Sequence, residues 1–395
     1  MASGQSWLAT PPDVTWPQPS DTELNPYVRW RSLLWSWHYA LKRGWSDEDY
    51  VNLVIEIDEQ VSAVDKSGFR ITPTGVWENI SEDLPTFCFW KNETTNVAGS
   101  HKARHLMGLL LHLAVDAVEA DTRLAISSCG NAALGAATVA RAVNRPIDVF
   151  VPSWANSNII KRLEDLNAVI HVCERKSGEV GDPCMNRFQE AIEEGSLPFT
   201  VQASENILAL DGGRTLGWEI AEEISGNPID YLFIQVGGGA LLTSCVIGLL
   251  EAKQLGVISK VPKVCAVQAE GCAPLDRAWR GIPRTGTAKE KIDYATANAE
   301  TLMTPWEEPE SLATGILDDI TYDWIGVVQA LAQTGGESIV ASEKEIAVAH
   351  ALANSHGVAC EPTGSAGVAG VIAALRLGYL RRSDRVGVLL TGVQR

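Results

Sequence analysis

The sequence lacks any run of eighteen apolar residues, and it therefore predicts no helix that crosses a membrane. Its first residues, Met1-Ala-Ser-Gly-Gln-Ser, lack the basic and apolar regions of a secretory signal, so we expect a cytoplasmic protein. Positive charge is also scarce, because 32 lysine and arginine residues stand against 49 aspartate and glutamate residues, a formal net charge of −17. A chain this acidic, without a long basic stretch, is a poor candidate for binding nucleic acid or a membrane surface.

The common sequence motifs for metal binding and for nucleotide binding are absent too. None of the eight cysteines forms a CxxC pair, and the seven histidines are scattered, so we expect no metal centre. Most cysteines lie in apolar surroundings, which is typical of reduced, buried thiols in a cytoplasmic protein. The patterns GxGxxG and GxxxxGK[ST] do not occur, which disfavours a dinucleotide site and a P-loop.

What the chain does contain is an alternation of apolar strands and helices. With 395 residues, 46% of them hydrophobic, it can form a substantial core and two structural domains. From residue 124 onward the pattern predicts strands at 124–127, 147–151, 168–173, 231–236, 264–269 and 386–390, with helices at 132–143 and 158–166. This alternation predicts an α/β fold with mostly parallel sheets, covered by helices on both faces.

Two amphipathic helices are predicted nearer the N-terminus, after an arm of little structure at residues 1–25. Asn25-Pro26 opens the first helix, which runs to Gly44. Its aromatic stripe favours a packing face or an interface over a ligand box, and consists of Tyr27, Trp30, Leu34, Trp37 and Leu41. The second helix begins at Ser46 with a capping box completed by Asp49.

One lysine stands out by its context. Lys102 ends the run Asn96-Val-Ala-Gly-Ser-His-Lys, which follows a predicted strand at 87–91. A lysine behind a Gly-Ser turn, at the start of a helix, is well placed to hold an aldehyde cofactor. Because most lysines are solvated surface charges, this interpretation depends on the other loops of the chain.

Three successive glycines follow the predicted strand at 231–236. The motif Gly237-Gly238-Gly239-Ala240-Leu241, which we call the glycine loop, precedes an apolar helical stretch. Successive glycines let backbone N–H groups point into one small volume, and the following helix adds the positive end of its dipole. The glycine loop is thus either a phosphate cradle or a tight structural turn.

Polar side chains follow other predicted strands. The segment Ser128-Cys129-Gly130-Asn131, which we call the serine loop, could bind a carboxylate at a helix start or simply cap that helix. Thr391, after the last strand, could offer a neutral hydroxyl to a ring nitrogen or cap the strand end. Glu361, before an Ala/Gly-rich helix, is either a site residue or a helix-start charge.

In their order along the chain, these runs resemble the fold-type II pyridoxal-phosphate enzymes, whose fold is that of the tryptophan synthase β subunit. The resemblance extends from Thr72-Pro73 to the C-terminus and is nearest to threonine synthase and the threonine/serine dehydratases. Three further runs are similar to threonine synthase sequences: Asp211-Gly-Gly-Arg-Thr-Leu-Gly-Trp-Glu219, Val267-Gln-Ala-Glu-Gly271 and Thr334-Gly-Gly336.

The resemblance implies a role for each loop. Lys102 would form the Schiff base with pyridoxal 5'-phosphate and shuttle the proton of the substrate Cα. The glycine loop would bind the cofactor phosphate, Asn131 would face the pyridine 3-oxygen, and Thr391 would meet the pyridine nitrogen. The serine loop, with Ser128, Cys129, Gly130 and Asn131, would bind the amino-acid substrate together with Ser100.

The resemblance also implies an architecture of two three-layer α/β domains with parallel sheets. Residues 26–121 and 206–395 would form a large cofactor-binding domain, and residues 122–205 a small mobile domain that closes over the substrate. The family suggests a homodimer. The reaction expected is that of a lyase, a dehydratase that converts threonine, serine or a similar β-hydroxy amino acid into a 2-oxo acid and ammonia.

The chain departs from the threonine synthase pattern beside Lys102. Ala98, His101 and Ala103 stand where that pattern has Thr, Phe and Asp, and His101 is closer to tryptophan synthase β. These departures weigh against phosphorylated homoserine as the substrate. A β- or γ-replacement enzyme, such as threonine synthase or a cysteine-synthase-like transferase, remains the alternative, and a binding protein that kept the fold without catalysis is a third.

Overall fold

The computed structural model describes residues 14–17, 23–179 and 181–394 of the chain. Most of the predicted N-terminal arm lies outside these described residues. The strands are β1 (Thr74–Glu78), β2 (Phe87–Asn92), β3 (Leu124–Ser127), β4 (Ile147–Pro152), β5 (Val169–Cys173), β6 (Leu197–Pro198), β7 (Tyr231–Gln235), β8 (Lys263–Ala269), β9 (Glu337–Ala341) and β10 (Arg385–Leu390). The helices are α1 (Pro26–Arg29), α2 (Trp35–Lys42), α3 (Asp47–Asp65), α4 (Lys102–Val115), α5 (Asn131–Ala142), α6 (Ser157–Asp165), α7 (Pro183–Glu193), α8 (Ala209–Ser225), α9 (Ala240–Gln254), α10 (Pro274–Arg280), α11 (Ala288–Ala297), α12 (Ala299–Leu302), α13 (Trp324–Thr334), α14 (Glu343–Ser355) and α15 (Pro362–Arg376).

The chain divides into two compact units. Among the described residues, the first unit comprises 14–16, 72–95 and 214–394, and the second comprises 17, 23–71, 96–179 and 181–213. The predicted small domain, residues 122–205, falls within the second unit. That unit also includes residues 26–71, 96–121 and 206–213, which the sequence analysis places in the large domain. The reason is that α3 and α4 both pack against α5, which joins the N-terminal helices to this unit. The mobility of residues 122–205 stays a prediction.

A mostly parallel sheet forms the centre of the first unit, in the strand order β1-β2-β10-β7-β8-β9. β1 pairs antiparallel with β2, and the other neighbours pair in parallel. Since successive side chains of a strand point to opposite faces, Leu232 and Ile234 of β7 pack with α9 and α13, whereas Phe233 packs with α14 and α15. The sheet is therefore buried between two helical layers.

The second unit has a smaller sheet in the order β5-β4-β3-β6, with all its neighbours parallel. Cys184 and Phe188 of α7 pack against Ala125 of β3, and α5 also contacts β3 and β4. The predicted α/β fold with parallel sheets is confirmed. Within the described residues, no helix combines the length and apolar character needed to cross a bilayer.

The prediction of one continuous helix from Asn25 to Gly44 is wrong. The chain instead forms α1, a 3-10 turn (Arg31–Leu33) and α2, separated by an extended Leu34. The backbone N–H groups of Trp35 and Ser36 each donate to the buried carboxylate of Asp211 at 3.1 Å. This distant carboxylate satisfies the first donors of α2 and so begins a new helix.

The second predicted helix is confirmed as α3. Ser46 accepts a hydrogen bond from the N–H of Asp49, whose carboxylate accepts from the N–H of Ser46 in return. Val54, Ile57 and Val61 are buried on one face of α3, as expected of an amphipathic helix.

Candidate active site

Lys102 is the first residue of α4 in the second unit, and its side chain is half-buried. A 3-10 turn (Val97–Gly99) precedes it, in which Ala98 and Gly99 have φ angles of 54° and 66°. Two left-handed residues in succession reverse the chain, after which Ser100 is extended. This local turn determines the direction in which α4 starts and places Lys102 at the N-terminal end of the helix.

Two buried side chains lie directly before Lys102. Oγ of Ser100 and both ring nitrogens of His101 have no hydrogen-bond partner among the described residues. Because buried polar atoms are nearly always hydrogen-bonded, such a set beside one lysine is typical of a binding site. Burial, reinforced by the adjacent Lys102, holds the pKa of His101 well below its usual range, so its imidazole is neutral.

The serine loop follows the carboxyl end of β3 in the same unit, and Asn131 is the first residue of α5. Oγ of Ser128 accepts from the N–H of Gly130 at 3.4 Å. A Cβ at Gly130 would meet no atom within 4 Å, so the space beside this glycine is open. Helices α4 and α5 pack closely, because a Cβ at Gly135 of α5 would lie only 3.4 Å from N of Ala103 in α4. Lys102 and the serine loop therefore lie at the starts of two helices that contact each other.

The first unit holds the glycine loop at the carboxyl end of β7. Gly239 has a φ of 104° and precedes Ala240, the first residue of α9. The first four N–H groups of a helix have no carbonyl partner within it, so this loop presents donors suited to an anion. A Cβ at Gly237 would lie 2.5 Å from Oδ2 of Asp318 and 3.0 Å from the backbone Cα of Ile316, so a larger residue would have to displace its neighbours.

Thr391 follows β10 in the first unit. Because β10 pairs in parallel with β7, the residues after both strands lie at the same edge of the sheet. Nε2 of Gln235, the last residue of β7, donates to Oγ1 of Thr391 at 2.6 Å, and both residues are buried. The structure thus brings Thr391 to the edge that carries the glycine loop.

Gln235 is the residue of this group that the sequence analysis missed. A polar side chain at the end of the otherwise apolar strand β7 was the signal that could have found it. Glu361, whose role was left open, is the N-cap of α15, and its backbone N–H donates to O of Gly392 at 3.1 Å.

A family model described as "Pyridoxal-phosphate dependent enzyme" matches residues 66–392 of the chain. The chain belongs to this family. Its cofactor is pyridoxal phosphate, as the resemblance of the loops implied.

Several threonine synthases are similar to this pyridoxal-phosphate enzyme over most of its length. The threonine synthase of a Bacillus species is 27% identical over 318 residues, which are 80% of this chain and 80% of that protein. The threonine synthase of Mycobacterium tuberculosis is 26% identical over 324 residues, 81% of this chain and 80% of that protein. That of Methanosarcina acetivorans is 29% identical, over 48% of this chain and 43% of its own length.

Solved structures confirm the fold. Threonine deaminase isoform 2 from Solanum lycopersicum superposes with a TM-score of 0.65 at 17% identity, over 89% of this chain and 86% of that one. Maize serine racemase superposes with a TM-score of 0.63 at 17% identity, over 87% of this chain and 93% of that one.

Each unit, taken by itself, contains residues of the kinds that pyridoxal phosphate needs. The cofactor needs an amine for its aldehyde, donors for its phosphate and a partner for its ring nitrogen. Lys102 supplies an amine, the glycine loop at the start of α9 supplies donors, and Thr391 supplies a hydroxyl. Oγ of Ser100 and the ring nitrogens of His101, which have no hydrogen-bond partner in the described part of the chain, supply further polar atoms beside the lysine.

Proposed function

We propose that the protein is a lyase that converts a β-hydroxy amino acid into a 2-oxo acid and ammonia. The observation that carries this proposal is the buried hydroxyl of Thr391, at the sheet edge that carries the glycine loop. A neutral hydroxyl beside the pyridine nitrogen would leave that nitrogen largely unprotonated. This protonation state favours elimination at the β-carbon over a long-lived carbanion.

Each loop takes a role in this proposal. Lys102 holds the cofactor covalently, and the glycine loop holds its phosphate through backbone N–H groups. Asn131 donates its side-chain amide to the 3-oxygen of the ring. The remaining residues of the serine loop, together with Ser100, bind the substrate carboxylate. The open space beside Gly130 gives the carboxylate room to approach the backbone.

Lys102 then acts as the general base. When bound, pyridoxal phosphate would supply an electron sink that makes the Cα hydrogen of the substrate acidic. Once free of the cofactor, the Nζ amine of Lys102 would take the Cα proton. The Cβ–O bond would break, and in the net reaction the proton taken from Cα by Lys102 would leave with the hydroxyl as water. The enamine that is released takes up water and yields the 2-oxo acid and ammonia, so no second substrate is required.

A replacement reaction is the second candidate, because the curated relatives named above are threonine synthases. A threonine synthase would need a phosphorylated substrate and would release inorganic phosphate, whereas a cysteine-synthase-like transferase would need a second substrate. The substitutions at Ala98, His101 and Ala103 lie beside Lys102 and weigh against that substrate.

The two candidates can be separated with a substrate panel. Purified protein supplied with pyridoxal phosphate is incubated with L-threonine, L-serine, bulkier β-hydroxy amino acids and O-phosphohomoserine, and the products are quantified. We expect equal amounts of ammonia and 2-oxo acid from a β-hydroxy amino acid alone. Phosphate release from O-phosphohomoserine, without turnover of any β-hydroxy amino acid, would instead establish the replacement reaction. Lys102→Ala should abolish turnover, whereas Lys42→Ala, a change at an exposed lysine, should not.

A further inference from the structure

The buried amide of Gln235 makes an unusual set of contacts at the end of β7. Its Nε2 lies 2.6 Å from Oγ1 of Thr391, 3.2 Å from O of Gly364 and 3.3 Å from O of Leu389. All these atoms belong to the first unit, and Gln235 is only 4% exposed. The amide therefore faces three oxygen atoms with no competition from bulk water.

The orientation of this amide is determined by its two backbone neighbours. A carbonyl oxygen can only accept hydrogen bonds, so the amide oxygen cannot replace Nε2 beside O of Gly364 and O of Leu389. Oε1 must point the other way, where it has no hydrogen-bond partner among the described residues. Leaving Oε1 unpartnered costs free energy, and this cost is tolerated because the NH2 group faces the oxygens.

The amide in turn determines whether the Thr391 hydroxyl donates or accepts in the hydrogen bond between them. Because the NH2 group of Gln235 can only donate, Oγ1 of Thr391 must accept from it. A hydroxyl has a single hydrogen, and that hydrogen remains available for a different acceptor. The backbone N–H of Thr391 is separately bonded to O of Gly364 at 3.0 Å.

We infer that Gln235 is a positioning residue that holds the Thr391 hydroxyl as a hydrogen-bond donor to the pyridine nitrogen of the cofactor. The inference rests on the proposed function, in which Thr391 meets that nitrogen. A donor hydroxyl requires an acceptor opposite it, and the pyridine nitrogen accepts only when it carries no proton. Gln235, which does not itself touch the cofactor in this account, thereby selects the unprotonated ring that the elimination needs.

The direct test measures the protonation of the ring nitrogen rather than activity. Full-length protein is loaded with pyridoxal phosphate labelled with 15N in the ring, and the 15N chemical shift is recorded. We expect the shift of an unprotonated, hydrogen-bonded pyridine in the wild type. The shift of a pyridinium would overturn the inference, whether or not any variant can be purified.

Gln235→Met tests the residue itself, since it keeps the length of the side chain and removes the donor. The Thr391 hydroxyl can then donate to a freed carbonyl of Gly364 or Leu389 and turn a lone pair toward the ring. We expect the 15N shift to move toward the pyridinium value, and we expect no such movement when Gln235→Met is combined with Thr391→Val. An unchanged shift in the single variant would contradict the inference.

The buried Gln268 on β8 offers a matched control. Its Oε1 accepts from the backbone N–H groups of Leu275 and Asp276, and its Nε2 donates to O of Val236 and Oγ1 of Thr321, so its hydrogen bonds do not include the Thr391 hydroxyl. Gln268→Met should therefore leave the 15N shift at the wild-type value. If wild-type protein forms no covalent complex with the cofactor, the proposed function and this inference are both refuted. A covalent complex whose ring nitrogen is protonated would refute this inference alone.

Discussion

Nζ of Lys91 lies 2.7 Å from Oε2 of Glu219, and neither side chain has any exposed surface. The same ammonium donates to O of Thr72 at 2.6 Å, and the backbone N–H of Thr72 donates to Oε2 of Glu219 at 3.1 Å. Ionic groups removed from water need such compensation, because an unpaired buried charge is strongly unfavourable. This pair joins the segment before β1, strand β2 and helix α8 inside the first unit.

Lys91→Met should therefore destabilise the first unit strongly. It leaves the carboxylate of Glu219 buried without its cation, a change that costs about 3–5 kcal/mol in comparable buried pairs. The measurement is the midpoint of urea unfolding, which we expect to fall markedly. Lys289→Met, which removes an exposed ion pair with Asp293, should leave the midpoint almost unchanged. Equal midpoints for Lys91→Met and the wild type would show that the buried pair is dispensable.

Gly130→Ala should separate substrate binding from stability. A Cβ at Gly130 meets no protein atom within 4 Å and would project into the space that we assign to the substrate carboxylate. We expect KM to rise while the melting temperature changes little. Gly226→Ala is the control, because a Cβ at this exposed glycine also meets no atom within 4 Å. If Gly130→Ala and Gly226→Ala have the same KM, the serine loop does not bind the substrate where we propose.

The cysteines should differ sharply in reactivity toward iodoacetamide. Burial raises the pKa of Cys88 and Cys265 to about 12 and that of Cys272 and Cys360 to about 11, so their thiolates are rare near neutral pH. Cys129, half-buried in the serine loop, should be alkylated first. Mass spectrometry of peptides after timed alkylation would locate the label, with urea-unfolded protein as the control for full modification. A substrate amino acid should slow labelling of Cys129, and equal labelling of Cys88 in native protein would contradict this prediction.

The neutral His101 should make the native state sensitive to acid. Desolvation holds the pKa of His101 far below its usual value, whereas in the unfolded chain the imidazole titrates near its ordinary pKa of about 6.5. Below that pH the unfolded state binds a proton that the native state does not bind. The free energy of unfolding therefore falls, by at most about 1.4 kcal/mol per pH unit for this one group.

Urea unfolding of the wild type and of His101→Phe at a series of pH values measures this contribution. We expect the two curves of stability against pH to be parallel above about pH 7 and the wild-type curve to fall more steeply below about pH 6.5. Parallel curves across the whole range would mean that His101 takes up its proton in the native state.

The sequence predicted the fold well where strands are apolar and continuous, as in β7 and β10, because burial alone specifies them. It missed β1 and β9, which carry glutamate at one end, and β6, which has only two residues. It joined α1 and α2 into one helix because the carboxylate that separates them, Asp211, lies 176 residues from Trp35 in the chain. Local periodicity holds no information about such a distant cap.

In the candidate site too, residues in local motifs could be predicted from the sequence, whereas those that depend on distant contacts could not. Lys102, the glycine loop and the serine loop were recognisable because each is a compact motif between a strand and a helix. Gln235 was not, since its meaning depends on Thr391, which is 156 residues away and becomes its neighbour only through the pairing of β7 with β10.

The most direct test of the account is to locate the lysine that holds the cofactor. Protein purified with pyridoxal phosphate is reduced with borohydride, and the modified peptide is identified by mass spectrometry. We predict one cofactor per chain, attached to Nζ of Lys102, with attachment lost in Lys102→Ala and retained in Lys42→Ala. Attachment at another lysine, or no attachment in the wild type, would contradict the central claim.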